Sequence, residues 1–529
     1  MSATTTPRIR DAAGYAADSH KWWVLGVIVM GSFMSILDST VVNIALPKLM
    51  SVFSADVHGA QWVLTSYLLA LAIVIPLTGY LDETFGGKRI YMITLGLFTI
   101  ASALCGLSWS LTVLIVFRII QGLGGGLIQP LGMSLLLREF RPEERGTALG
   151  FYGIPIMLAP AIGPTVGGYL VEYVDWRFIF YINVPIGILA VIAASRILHE
   201  APLHRDKKLD GWGIALVAIG SASLLLGIDN GPTDGWGSTW VVLELALGII
   251  CLVAFIVVEL TVKQPLLELR LFRSLSFTTA LFVTLIVQVA LFGATFLLPL
   301  FLQDLRGLGA METGLLLVPQ ALTVAVIMPI SGRIFDRFGP RIVLIPGIAL
   351  LALSTYRFGN LSLETTNLQI ISNLMLRGMG MGLAMMPATT AAMNAVPRQS
   401  IPRATALTNA LQRISGSFGT AVMSTILTSR QTYQFATLAQ TQTPFNFGVK
   451  TMLAKAQALP ALNYLPPPYF HQISVLILYQ EVATEAAVRS FDDTFLVASV
   501  ICLPAIVAAL FVRNVGSRRR GGSEPVLAE

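Results

Sequence analysis

The run from Trp22 to Pro47 is apolar except for one carboxylate, Asp38, in the stretch SILDSTVVNIALP. An acid at mid-bilayer costs about 2.5–3.5 kcal/mol on insertion scales, so a residue of this kind is expected to have a use. The chemistry open to a lone buried carboxyl is uptake and release of a proton. A second deep charge, Arg118, lies in the apolar run that begins at Leu111. At 1.5 Å per helical residue, Asp38 sits roughly 12 Å and Arg118 roughly 10 Å below the same face. Burial and a neighbouring guanidinium act on a carboxyl in opposite senses, which is the condition for a group that exchanges protons near neutral pH. Arg377 and Arg413 are also deep, and their own apolar runs hold no acid. Backbone carbonyls or cavity water are their expected partners, which leaves an anionic substrate open.

Other chemistries lack their residues. All five histidines (His20, His58, His199, His204 and His471) fall outside the apolar runs, and no lysine lies within one. There is no H-E-x-x-H and no P-loop. The glycine cluster GLGGG at 122–126 lacks the nucleotide-loop spacing and follows no strand. PPPY at 466–469 reads as a turn or spacer. Cys105, Cys251 and Cys502 lie in apolar runs, so no disulfide framework is implied. No metal and no organic cofactor is expected, and a polytopic membrane enzyme is a remote alternative.

Charged residues make up 12% of the 529, against roughly 25% in soluble domains. With a mean hydropathy of +0.73 the chain is expected to be an all-α polytopic membrane protein. The net charge of +6 is spread over many loops, which speaks against nucleic acid as a partner. A helix needs about 20 apolar residues to cross a bilayer. Fourteen candidate spans result: 22–46, 60–81, 90–108, 111–136, 145–170, 177–198, 211–229, 240–261, 275–302, 312–332, 341–358, 367–387, 403–428 and 491–513. The first is too long for a cleaved signal and is read as an uncleaved span. With both termini in the cytoplasm, inside loops and tails hold 24 of the 35 Lys and Arg, and the short outside loops hold four. This bias supports an even number of spans in that orientation. Trp22, Trp23, Trp109, Trp176, Trp212 and Trp240 fall at expected interfaces.

The chain also echoes itself. GYLDETFGGKR (79–89) follows span 2, and GRIFDRFGPR (332–341) follows span 10. Each has glycines seven apart and an acid, Glu83 or Asp336, four after the first glycine. RIIQGLGGG (118–126) in span 4 is echoed by RGMGMG (377–382) in span 12. A six-helix unit therefore occurs twice, with spans 7 and 8 inserted. Repeats of this kind mark transporters with a site at the repeat interface. The expected organisation is a cytoplasmic tail 1–21, an N-terminal bundle 22–198, and a linker with two inserted helices, 199–262. A C-terminal bundle 263–513 carries an extracytoplasmic segment 429–490, and a disordered tail 514–529 follows.

These motifs give the chain a specific resemblance. It looks like the major facilitator superfamily, and within it the fourteen-helix drug:proton antiporters of the EmrB/QacA type. LDSTVVNIALP resembles that group's first-helix signature, the two loops its G-x-L-a-D-r-x-G-r-k motif, and RIIQGLGGG its fourth-helix motif. GIPIMLAPAIGPTVGGYL (153–170) resembles the fifth-helix antiporter motif, and DWRFIFYINVPIG (175–187) the entry to helix 6. Glu83 and Thr84 depart from the loop motif's Asp and Arg; Asp336 and Arg337 match it.

The resemblance implies a major facilitator fold of two six-helix bundles plus two inserted helices. It implies proton-driven export of diverse hydrophobic or amphipathic drugs across the bacterial inner membrane by alternating access. A dedicated exporter of one natural product, siderophore or lipid is the alternative. Spans 1 and 4 would lie side by side, so that Asp38 and Arg118 couple transport to protons, with drug and proton competing for the cavity. Gates would comprise Gly79, Glu83, Gly86, Lys88 and Arg89 in one loop and Gly332, Asp336, Arg337 and Gly339 in the other. Gly163, Pro164 and Gly167 would seal span 5 against span 10 on the outside. The cavity, lined by spans 1, 4, 9, 10, 12 and 13, would draw on Asn43, Gln121, Gln288, Phe292, Gln320, Met328, Met385, Asn409, Gln412 and Arg413. ISVLIL (473–478) is expected to form an amphipathic helix on the outer leaflet, where a periplasmic membrane-fusion adaptor is a further expected partner.

Overall fold

A computed structural model of the chain describes residues 18–200, 210–262, 265–441 and 467–512. Residues 1–17 of the expected N-terminal tail, the expected C-terminal tail, the linker charges Arg205, Lys207 and Lys208, and Pro466 lie outside the described residues, whereas 18–21 begin α1. Lipid offers no hydrogen bonds, so a spanning backbone must satisfy its own, and helices do this residue by residue. The described residues form α1 (Asp18–Phe53), α2 (Gly59–Phe85), α3 (Gly87–Gly106), α4 (Leu111–Glu139), α5 (Arg145–Tyr169), α6 (Phe178–Ile197) and α7 (Gly211–Asp234). They continue as α8 (Thr239–Thr261), α9 (Leu275–Leu300), α10 (Ala310–Phe338), α11 (Pro340–Phe358), α12 (Asn367–Asn394), α13 (Ile401–Thr441) and α14 (Pro467–Phe511). Each expected span coincides with one of these helices. A 3-10 turn at Ile75–Leu77 interrupts α2 at Pro76, whereas α5 runs unbroken through Pro155, Pro160 and Pro164.

Twelve of the helices carry a strongly apolar 18-residue window; α12 and α13 do not. Helix α12 holds Asn373 and Arg377, and α13 holds Asn409, Gln412 and Arg413. Such polar spans belong inside a bundle rather than against lipid.

Helices α1–α6 and α9–α14 form the two bundles. They meet where α5 packs along α10 and where α2 approaches α13. The inserted pair, α7 and α8, packs on itself through Gly220, Gly227 and Gly248, each set against a leucine of the other helix. The pair covers the seam between α2 and α13. There the Trp236 indole donates to Thr425 Oγ1 at 2.9 Å. The outer face of α8, including Leu243, Ile250 and Val257, stays exposed, as lipid contact requires.

Among the described residues, the polar bonds between the bundles gather at the end carrying the two motif loops. That is the end expected from the charge bias to be cytoplasmic. Gly86 (φ 95°) and Gly339 (φ 90°) reverse the chain at equivalent points of these loops, in a region that favours glycine. Asp336 accepts from the Gly146 and Thr147 amides at 2.8 and 2.7 Å and from the Thr147 hydroxyl at 2.7 Å, at the start of α5. Glu83 pairs with Arg403 of α13 at 3.0 Å, and Arg403 also holds Glu268 at 3.1 Å. Arg398 donates to the Arg138 carbonyl at 2.7 Å.

The small face of α5 that meets α10 is Gly146, Gly150 and Gly153. A Cβ on Gly150 would come within 2.6 Å of the Met328 carbonyl oxygen. This corrects an expectation: Gly163 and Gly167 face Thr40 and Val41 of α1, within their own bundle. Pro164 is the member of that trio turned toward α10, near Gly314. Trp176 is likewise buried rather than in an aromatic belt, stacked edge-on against Phe53 and Phe180.

The last span is longer than expected. Helices α13 and α14 have 41 and 45 residues. At 1.5 Å per residue each exceeds 60 Å, against a hydrocarbon core of about 30 Å. ISVLIL lies within α14 and continues into the final span, not as a separate helix on the leaflet. The two helices run together beyond the bundle, tied by Phe435 on Tyr479 and by Gln434 donating to Asp493 at 2.9 Å.

Candidate coupling and substrate sites

Asp38 and Arg118 meet inside the N-terminal bundle. Arg118 Nη1 donates to Asp38 Oδ2 at 2.6 Å, and both side chains are sealed from solvent. The other carboxylate oxygen, Oδ1, accepts from Gln121 Nε2 at 2.9 Å and Asn183 Nδ2 at 2.7 Å. Arg118 and Gln121 lie three residues apart on one face of α4 and are themselves bonded at 2.8 Å. Arg118 Nε donates to the Val63 carbonyl at 3.1 Å, and the guanidinium carbon stands 4.0 Å over the Tyr67 ring. Asn183 also donates to Ser102, which in turn donates to the Phe180 carbonyl at 2.9 Å. One guanidinium nitrogen, Arg118 Nη2, is buried without a partner.

The glycines of α4 make this approach possible. Gly122 and Gly126 face the α2 backbone at Tyr67 and Leu71, and Gly124 faces the α3 backbone at Phe98. A Cβ on Gly124 would lie 2.8 Å from the Phe98 nitrogen. GLGGG is thus a packing surface that lets three helices converge on Arg118.

Two expectations change here. Gln121, assigned to the substrate cavity, belongs to the Asp38 network. Asp38 is wholly buried among α1, α4 and α6, so in this conformation a substrate does not share its carboxylate with a proton. Sequence reasoning missed Asn183, Ser102 and Tyr67. The signal for Asn183 was present as a lone amide in the apolar entry to span 6. It missed Asp82 as well, which is buried beside Glu83 and held by Arg138 at 2.9 Å and Ser134 at 2.8 Å.

The C-terminal bundle holds its counterpart differently. Arg377 of α12 donates to the Leu291 carbonyl at 3.1 Å and to Thr295 Oγ1 at 2.8 Å, both on α9. No acid takes part. Backbone carbonyls were the expected partners.

Between the bundles, Arg413 of α13 is half-buried and within electrostatic range of Tyr67 and Tyr152. It makes no hydrogen bond or ion pair among the described residues, and none of its nitrogens is sealed from solvent. Gln412 donates to Thr389 at 3.3 Å, and Asn409 approaches the Met133 sulfur at 3.9 Å across the interface. Phe292 is exposed and lies against Gly416, one turn beyond Arg413.

The remaining cavity candidates are scattered. Met328 and the neighbouring Met386 are buried and fill the notch at Gly153. Met385 and Gln288 are buried, and Gln320 donates to the Met381 sulfur at 3.2 Å inside its own bundle. Asn43 is exposed on the outer part of α1. Of the loop residues, Lys88 donates through its amide to Glu200 at 3.2 Å, and Arg89 stands 3.7 Å from the same acid. Arg337 stacks on Phe338. Gly79 admits Arg403, and Gly332 lies against the Gly146 backbone.

Two bundles of this build, joined along α5 and α10 with charged motif loops at one end, define a secondary transporter. Residues 28–420 match the Major Facilitator Superfamily, and the chain belongs to it. It is 35% identical over 502 residues to the uncharacterized MFS-type transporter YhcA of Bacillus subtilis, covering 93% of each chain. It is 34% identical over 415 residues to a multidrug resistance protein B homolog of Mycobacterium tuberculosis, covering 78% of this chain and 76% of that one. With the multidrug export protein EmrB of Haemophilus influenzae it shares 32% over 421 residues, 79% and 82% of the two chains. Among solved structures, the proton:xylose symporter XylE superimposes with a TM-score of 0.58 at 14% identity, covering 94% of this chain and 96% of that one. The chain is a multi-pass protein of the bacterial cell membrane, a transporter rather than an enzyme, with small molecules as its substrates.

Proposed function

We propose that the chain is a proton-driven exporter of hydrophobic or amphipathic small molecules that works by alternating access. The observation that carries this reading is the sealed Asp38–Arg118 pair with its two amide donors. A neutral carboxyl would release Arg118, whose Nη2 already lacks a partner, and so repack α1 against α4 and α6. Asp38 takes a proton from outside and gives it up inside, and the repacking is what proton and substrate share. Tyr67 links the two sites, since it lies under Arg118 and within range of Arg413. The loops close one end through Asp336 and Glu83 and open when those contacts break. The inside-negative potential adds about 2.3 kcal/mol per charge per 100 mV to the driving force. Breadth of substrate is supported by the names of the relatives. A periplasmic adaptor, where one is used, would meet the paired extensions of α13 and α14.

Everted vesicles with an acid interior are expected to accumulate a lipophilic dye, and nigericin to release it. Accumulation indifferent to the gradient overturns the proton-driven reading.

A further inference from the structure

The space between the bundles has an unbalanced charge. Asp38 is buried in the N-terminal bundle, and Arg118, Gln121 and Asn183 already occupy both its oxygens. Arg377 is sealed inside the C-terminal bundle, where its Nη groups donate to carbonyls and a hydroxyl of α9 and its Nε is buried without a partner. Arg413 is left with a cation, no partner among the described residues, and nitrogens open to solvent. A guanidinium half-buried at membrane depth is costly when unpaired, and proteins usually supply such a group with a counter-charge. Around it, Tyr67 and Tyr152 lie within electrostatic range, the exposed Phe292 packs against Gly416 one turn outward, and the neighbouring Gln412 donates to Thr389.

We propose that the missing counter-charge is the substrate itself, and that Arg413 receives the carboxylate, or another single anionic group, of an aromatic amphiphile. The planar fork of arginine suits a carboxylate. The inside-negative potential also favours the exit of an anion. This assignment of substrate class rests on the export reading but has its own readout in binding.

The test uses the full-length purified chain and two dyes, 5-carboxyfluorescein as the anion and ethidium as the cation, with affinity read by fluorescence anisotropy. Wild type is expected to bind 5-carboxyfluorescein more tightly than ethidium. Arg413→Gln is expected to weaken the anion about tenfold or more, the loss that accompanies one hydrogen bond to a charged group. Arg413→Lys keeps the charge but loses the planar fork, so its affinity for the anion should fall between wild type and Arg413→Gln, and ethidium should bind no more weakly to either variant. Equal loss of both dyes in Arg413→Gln marks a structural role and overturns the proposal, as does unchanged binding of the anion or preference of wild type for ethidium. Selective anion binding without gradient-driven transport in vesicles would count against export and leave the Arg413 assignment standing.

Discussion

The two bundles solve one problem in two ways. Each carries a buried arginine at the same point of its repeat, Arg118 in α4 and Arg377 in α12. In the N-terminal bundle the guanidinium faces a carboxylate; in the C-terminal bundle it faces the carbonyls of Leu291 and Ala294 and the Thr295 hydroxyl. Carbonyls and hydroxyls hold a cation but do not titrate. The repeat therefore supplies the scaffold twice and a carboxylate–arginine pair once, which is the contrast behind the proposal that the first bundle handles the proton.

Substituting the two arginines separates these roles, and the largest effect is expected at Arg118. Arg118→Gln strands a buried carboxylate, and breaking such a pair costs about 3–5 kcal/mol. Arg377→Gln loses neutral acceptors only and should cost about 1–3 kcal/mol. Thermal unfolding in detergent reads both. The reverse order would break the comparison between the bundles.

The motif loops extend the comparison. Asp336 accepts three bonds at the α5 terminus, where amides and helix dipole favour an anion, while Glu83 relies on Arg403. Asp336→Asn should therefore open the inner end more than Glu83→Gln, read as faster labelling of Met385→Cys from the cytoplasmic side. Unchanged labelling in both variants would show both loops to be solvated turns, and equal increases would break the ranking of the two contacts. On α5, Gly150→Leu should block the approach to α10 and abolish transport. Gly163→Leu should disturb only the fit to α1, an overpacking cost of about 1–3 kcal/mol. Efflux assays with matched expression distinguish them. The smallest effect is expected at the inserted pair, where Trp236→Phe removes one hydrogen bond to Thr425, about 0.5–1.5 kcal/mol.

What the sequence made legible follows from contrast. Asp38, Arg118 and Arg377 stand out because charge is rare in apolar runs, and the two loops stand out because glycine and acid recur at fixed spacing. The rotation of a helix about its axis is harder to read. Span 5 has small residues on several faces, so sequence alone did not tell Gly163 and Gly167 from Gly146 and Gly150, which meet α10. Met328 and Met385 looked like soft lining because burial inside a bundle leaves no mark in sequence. Asn183 and Ser102 are uncharged and resemble packing residues until Asp38 is placed beside them. The extension of α13 past its apolar run, to Thr441, was hidden because helix and hydropathy end at different points.

The central claim is that Asp38 is the group through which a proton gradient drives transport. The most direct test reconstitutes wild type and Asp38→Asn in liposomes and compares substrate counterflow, which needs no gradient, with ΔpH-driven accumulation. Asp38→Asn is expected to keep counterflow, with substrate affinity that no longer changes with pH, and to lose accumulation. Full ΔpH-driven accumulation by Asp38→Asn would contradict it.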